Sequence, residues 1–162
     1  MIRSATVDDA EAIAFIHVRA WQRAYADIFP AEFLEKLSIE ARTAAWQQLL
    51  AENQNTTIVK EFDGVIAGWA SGGVSRDADA IDELEIHAIY VLPDYWGRGA
   101  GAELMRGMET IFAPRSKTTL WVLQDNHRAI RFYKHFGYEP DGVQNELERG
   151  GVKRQEIRLR KS

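Results

Sequence analysis

One run of main chain in this 162-residue sequence has the composition to hold an anion: Trp96-Gly97-Arg98-Gly99-Ala100-Gly101, followed by Ala102. Alternate glycines let a phosphate approach the backbone closely, and at a helix start the unpaired N–H groups and the helix dipole attract negative charge. The same spacing also suits a plain turn after Pro93. A nucleotide P-loop is excluded because no Gly-Lys-Ser/Thr follows the required spacer. A dinucleotide fingerprint fits on Gly97, Gly99 and Ala102 with Asp125 further on. Against it, Pro93-Asp94-Tyr95-Trp96 separates the glycines from the preceding strand, and too little chain follows for the usual sheet. Upstream, Glu85 and His87 lie one strand period apart, on one face of the same run. None of His17, His87, His127 and His135 has a partner at helical ligand spacing, so no metal is expected. The chain has no cysteine, which excludes disulfides, thiolate metal sites and a thiol acyl-enzyme.

Hydrophobic periodicity supplies the elements that must carry these residues. Thr6 and Asp9 read as a helix start, with Ile13, His17, Ala20, Trp21 and Ala24 recurring on one face and an end near Pro30. A short helical piece around Phe33, Leu34 and Leu37 precedes a helix capped by Ser38. Two strands flank the turn dipeptide Asp63-Gly64. Residues 81–91 read as a central strand, with Leu84, Ile86, Ala88 and Tyr90 alternating against Glu85, His87, Ile89 and Val91. A helix through Leu104, Met105 and Met108 follows the glycines, then a strand over residues 118–123 and a helix capped by Asn126 that ends at Gly137. A hairpin around Gly150-Gly151 closes the chain. Strand, helix, strand, helix implies a parallel pair inside a mixed sheet, hence a single α/β domain over residues 1–162, three layers deep with helices flanking the sheet.

Composition narrows the partners. Twenty Lys and Arg against 24 Asp and Glu give a net charge of −4, which argues against a nucleic-acid face. No run of apolar residues is long enough to span a membrane and no secretion signal opens the chain, so a cytoplasmic location is expected. A homodimer is the expectation from symmetry statistics alone. Asp77, Asp79, Asp82, Glu83 and Glu85 crowd nine residues, a field that would draw a cationic amine if it were left free.

The residues Glu85-Ile86-His87-Ala88-Ile89-Tyr90-Val91-Leu92-Pro93 with the glycine run resemble motif A of the GNAT superfamily of acyl-CoA-dependent N-acyltransferases. Leu120-Trp121-Val122, then Asn126-His127-Arg128-Ala129-Ile130-Arg131-Phe132-Tyr133 and Gly137-Tyr138, resemble its motif B, and the order of elements over almost the whole chain is similar too. Trp96 departs from the Gln or Arg common in that family. The resemblance implies acetyl-CoA as co-substrate, with its pyrophosphate on the N–H groups of Gly97, Arg98, Gly99, Ala100, Gly101 and Ala102. It implies pantetheine along the central strand at Ile89, Tyr90 and Val91, with Asn126 beside it, and a splayed neighbouring strand. It implies Tyr133 as the acid that protonates the leaving sulfur, Glu85 as base with His87 assisting, and Trp21 and Tyr25 near the acceptor. The function expected is direct acetyl transfer to a small polyamine-like or amino-sugar-like amine. A peptide or protein amino group, or a module that binds acyl-CoA without catalysis, are the alternatives.

Overall fold

The computed structural model describes residues 1–113 and 117–162. The Asp63-Gly64 turn takes positive φ at both residues, 49° and 81°, and joins β2 (Thr56–Phe62) to β3 (Val65–Val74) as a tight hairpin. A three-residue strand that the periodicity does not announce, β1 (Ile2–Ser4), pairs antiparallel with β2. Beyond β3 lie β4 (Leu84–Val91), β5 (Thr118–Leu123), β6 (Glu139–Arg149) and β7 (Val152–Lys161). The strands form a seven-stranded sheet in the order β1-β2-β3-β4-β5-β7-β6, in which β4 and β5 are parallel and the other neighbours antiparallel.

Helices cover both faces. On one lie α1 (Ala10–Ala24) and α3 (Ile39–Glu52), packing Ile13, Ile16 and Trp46 on Val59 and Trp69, with the short α2 (Ala31–Glu35) beyond them. On the other, α4 (Ala100–Phe112) packs Leu104, Met105 and Met108 on Leu84, Ile86 and Leu120. Following β5, α5 (His127–His135) rests Ala129, Ile130, Phe132 and Tyr133 against that second core. Among the described residues, no helix is long and apolar enough to cross a membrane.

The central strand departs from its expected pattern in two ways. It starts at Leu84 rather than Ile81, which is 68% exposed in the preceding loop. Its alternation also breaks, because Ser71 pairs with Ala88 and Gly72 with Ile86, leaving His87 unmatched as a bulge. Leu84 and Ile86 therefore share the α4 face with Ile89 and Val91, while Ala88 and Tyr90 turn toward α1. A bulge adds one residue, and each later side chain changes face.

Candidate active site

Sheet pairing opens a groove next to the glycines. β4 pairs with β5 only over residues 84–86, opposite residues 118–120, then continues to Val91 without that neighbour. Its other edge stays paired with β3 up to Val91, and the Leu92 N–H donates to the Ala67 carbonyl at 2.8 Å. Along an antiparallel ladder, polar groups alternate between the two edges. Ala88, Tyr90 and Leu92 thus bond β3, and the N–H groups of Ile89 and Val91 face the open side. The Val91 carbonyl is not free, since the Trp96 indole donates to it at 2.8 Å. The Arg128 guanidinium lies 3.7 Å over the Trp96 ring, so the residue that departs from the family pattern ties the loop to both the strand and α5.

The loop beyond is open. Gly97 and Gly99 have φ of 78° and 82°, and no atom lies within 4 Å of where a Cβ would sit on either. Only glycine adopts that backbone without strain. Glu103 is the first α4 residue to bond back, its N–H donating to the Gly99 carbonyl at 3.0 Å, which leaves the N–H groups of Ala100, Gly101 and Ala102 unpaired. Arg98 is exposed, 5.1 Å from the Tyr95 ring. These groups fit a diphosphate by charge and by donor set. Asn126 caps α5, its Oδ1 accepting the Ala129 N–H at 3.2 Å.

Tyr133 lies on α5, its ring 6.4 Å from that of Tyr138. Burial, with smaller contributions from the Tyr90 and Tyr138 hydroxyls, pushes its pKa well above the ordinary phenol value. The group stays protonated at any physiological pH.

Glu85 is 1% exposed, and Arg76 occupies both of its oxygens: the backbone N–H at 3.0 Å and Nε at 3.3 Å on Oε2, and Nη2 at 2.5 Å on Oε1. Burial alone would raise its pKa, but the Arg76 guanidinium and N–H together hold it below the ordinary carboxylate value. His87 is the complementary case. Burial foremost, then the Arg76 charge, lowers its pKa below 6.5 despite Glu85, so the ring is neutral at pH 7, with Nε2 buried and without a partner among the described residues.

On the α1 side, Tyr90 gathers both expected acceptor residues. The Trp21 indole donates to its hydroxyl at 2.8 Å, and the Tyr25 ring packs edge-on against that of Trp21 at 4.9 Å. Tyr25 and Leu123 join Phe29 and Leu34 in a third cluster beneath the β6–β7 hairpin. The acidic run, by contrast, is engaged. Arg158, 2% exposed, binds Asp79 at 2.6 and 2.7 Å, Asp141 at 2.7 Å and Asp77 at 3.2 Å. Arg160 pairs with Glu83 at 3.1 Å, and Glu85 is held by Arg76. The sequence did not single out Arg42, whose guanidinium lies 5.7 Å over the Trp21 ring, or the role of the Arg128 that stacks on Trp96. As charges on a helix or strand they carry no pattern, although motif B does contain Arg128.

An open strand edge leading to bare helix-start amides, with a protonated tyrosine alongside, defines the class of acyl-CoA N-acyltransferases. Residues 18–138 match the Acetyltransferase (GNAT) family, and the chain belongs to that family; it is an acetyl-CoA-dependent N-acetyltransferase. It is 29% identical over 161 residues to the uncharacterized N-acetyltransferase YuaI of Bacillus subtilis, covering 98% of this chain and 90% of that one. It is 33% identical over 107 residues to the N-alpha-acetyltransferase RimI of Mycobacterium tuberculosis (65% and 66% covered). To the L-amino acid N-acyltransferase MnaT of Escherichia coli it is 30% identical over 105 residues (64% and 58% covered). Its fold is similar to a GCN5-related N-acetyltransferase structure from Rhodopseudomonas palustris, with TM-score 0.78, 25% identity and coverage of 100% and 94%. It is likewise similar to PaiA N-acetyltransferase from Thermoplasma acidophilum in complex with coenzyme A, with TM-score 0.76, 18% identity and coverage of 100% and 98%.

Proposed function

We propose that the chain transfers acetyl directly to a primary amine within one ternary complex, with Tyr133 as acid and the Glu85–His87 pair accepting the amine proton. The observation that carries this reading is the β4–β5 pairing that ends at Ile86 while β4 runs on to the glycine loop. Acetyl-CoA supplies an activated thioester carbonyl, which the amine nitrogen attacks as the thiolate leaves. The N–H groups of residues 97–102 hold the diphosphate, and those of Ile89 and Val91 pair with the pantetheine as an added strand would. Tyr133 returns a proton to the departing sulfur, and its raised pKa keeps that proton available.

An alkylammonium has a pKa of about 10, so a proton must leave before attack. His87, neutral and bare at Nε2, accepts it through water, and the Glu85 charge steadies the imidazolium that results. Glu85 itself, with both oxygens on Arg76, is a weak base. An acyl-enzyme has no thiol to form on, since the chain contains no cysteine.

The acceptor is a small amine. The polyamine expectation drew on the acidic run, and four of those five acids are engaged with Arg158, Arg160 or Arg76, so that support is lost. A peptide amino group is the second reading, favoured by the similarity to RimI. The test is free-thiol release from acetyl-CoA with pooled amines and, separately, with peptides. Release that depends on an amine supports the proposal. Acetyl-CoA binding without release from any pool would make the chain a binding module.

A further inference from the structure

The acceptor end of the groove holds two kinds of charge that its own residues do not neutralise. Arg42, on α3, lies half-buried with its guanidinium 5.7 Å over the Trp21 ring, the same ring whose indole bonds Tyr90. Among the described residues it makes no ion pair, and burial foremost, with the like charge of Arg149 at the end of β6 adding to it, lowers its pKa. Arg149 spends one N–H on the adjacent Glu148 carbonyl, at 2.8 Å, and makes no ion pair among the described residues. A half-buried guanidinium without an acid loses hydration for no return unless a ligand supplies the anion.

Glu156 lies on the same face of the β6–β7 hairpin as Arg149, four residues along the ladder. It pairs with Leu123 between β7 and β5, so it shares the sheet face on which Leu123 packs against Tyr25. Asn145 Nδ2 donates to its Oε1 at 3.2 Å, and no cation lies within 4 Å among the described residues. Burial raises its pKa above the ordinary carboxylate value, with Asn145, Arg149 and Arg76 opposing and Glu85 adding to the rise. The β6–β7 hairpin is held to this place by Leu147, packed into the Tyr25–Phe29 cluster, and by Arg154 Nε, which donates to the Ile28 carbonyl at 3.0 Å. By strand alternation Asn145 and Arg149 share the Leu147 face. Tyr90 and Trp21 thus adjoin the Tyr25, Leu123 and Leu147 cluster, with Arg42 over the Trp21 ring and Glu156 and Arg149 on the hairpin face that Leu147 shares.

We propose that the acceptor carries a carboxylate beside its amine, as a free amino acid does, with Arg42 and Arg149 receiving the carboxylate and Glu156 the ammonium. This rests on the transferase reading and names the substrate class of the same site. A polyamine would bring further positive charge to the arginines, and an internal peptide unit would offer them no anion. Planar guanidinium forks suit a carboxylate, and the Glu156 carboxylate, of opposite charge, sets which end of a zwitterion approaches the thioester.

The experiment is thiol release from acetyl-CoA with each free L-amino acid, its methyl ester and the corresponding decarboxylated amine. The best free amino acid should exceed its ester and amine in kcat/KM by about 50-fold, the size of a lost hydrogen-bonded charge contact. In R42M and in R149M that ratio should fall to about 3-fold or less, while R42K retains part of it because the charge remains. Calorimetric titration with acetyl-CoA reports that each variant is folded, and the wild-type ratio decides the matter even if a variant is not. Equal rates for acid and ester, faster transfer to peptides or polyamines, or an undiminished ratio in folded R42M and R149M would overturn the proposal. Wild-type protein that fails to bind acetyl-CoA removes the transferase reading itself, whereas binding with transfer to carboxylate-free amines removes only this inference.

Discussion

Tyr133 and His87 are set apart by the same physical force acting on opposite charge types. Burial disfavours the charged form, so it raises a phenol and lowers an imidazole, leaving one group reliably protonated and the other reliably bare at neutral pH. Tyr133→Phe should lower kcat by about 100-fold or more, with acetyl-CoA affinity within about 2-fold of wild type, because only the transferable proton is removed. A large affinity loss with unchanged kcat would make Tyr133 a packing residue. Glu85 raises the His87 pKa, and Arg76 lowers it. A base must be deprotonated, so kcat should fall with acid along a limb lying below pH 6.5. Glu85→Gln removes the raising charge and bares Arg76, so that limb should move to still lower pH. If Glu85 were itself the base, the limb would instead vanish along with most of the rate. That Glu85 and His87 lie one strand period apart was legible in the sequence; the ion pair of Glu85 to Arg76 was not, because Arg76 belongs to a loop with no periodicity.

At the level of elements, the β4 bulge is the feature that sequence patterning could not supply. Apolar residues occupy both faces of β4 because helices cover both, and a buried strand reads as a continuous run in which one extra residue leaves no trace. The β2–β3 hairpin was legible because Asp-Gly answers a specific backbone demand, while β1 was not, being three residues long and fixed by pairing with β2. The junction of α1 with the sheet offers a test of packing. His17 stacks on Tyr90 at 5.1 Å and lies 5.6 Å from Trp69, with Nδ1 buried and without a partner among the described residues. Burial, aided by the Arg42 charge, pushes its pKa down to about 3, against 6.5 when unfolded. The unfolded chain therefore binds a proton that the folded chain refuses. This penalty is absent above pH 6.5 and grows as pH falls toward about 3. His17→Phe abolishes the difference, so its Tm relative to wild type should climb steadily between pH 7 and pH 4. A constant offset across that range would show that His17 is not held neutral.

Across the whole molecule, part of the acidic run that could have drawn a cationic amine forms a brace instead. Arg158 on β7 ties Asp77 and Asp79, before β4, to Asp141 on β6, and so fixes the far end of the β4–β5 pair from which the two strands diverge. Arg158→Met should destabilise the fold by about 3 kcal/mol, because three carboxylates lose their shared partner; urea unfolding would show this as a lower midpoint at an unchanged m value. Loss of under about 0.5 kcal/mol would mean the cluster is a solvated surface network. The order of elements, the parallel pair and the glycine loop could all be read from motif and period. The proposed acceptor end could not, since Arg42, Arg149 and Glu156 come from α3, β6 and β7, far apart in the sequence. What unites loop, strand and helix is one open edge of main chain. Backbone amide NMR of the protein titrated with coenzyme A examines that edge directly: the N–H resonances of Ile89, Val91 and residues 97–102 should shift together at saturation. Saturation by coenzyme A with those resonances unmoved, and others displaced instead, would contradict the account.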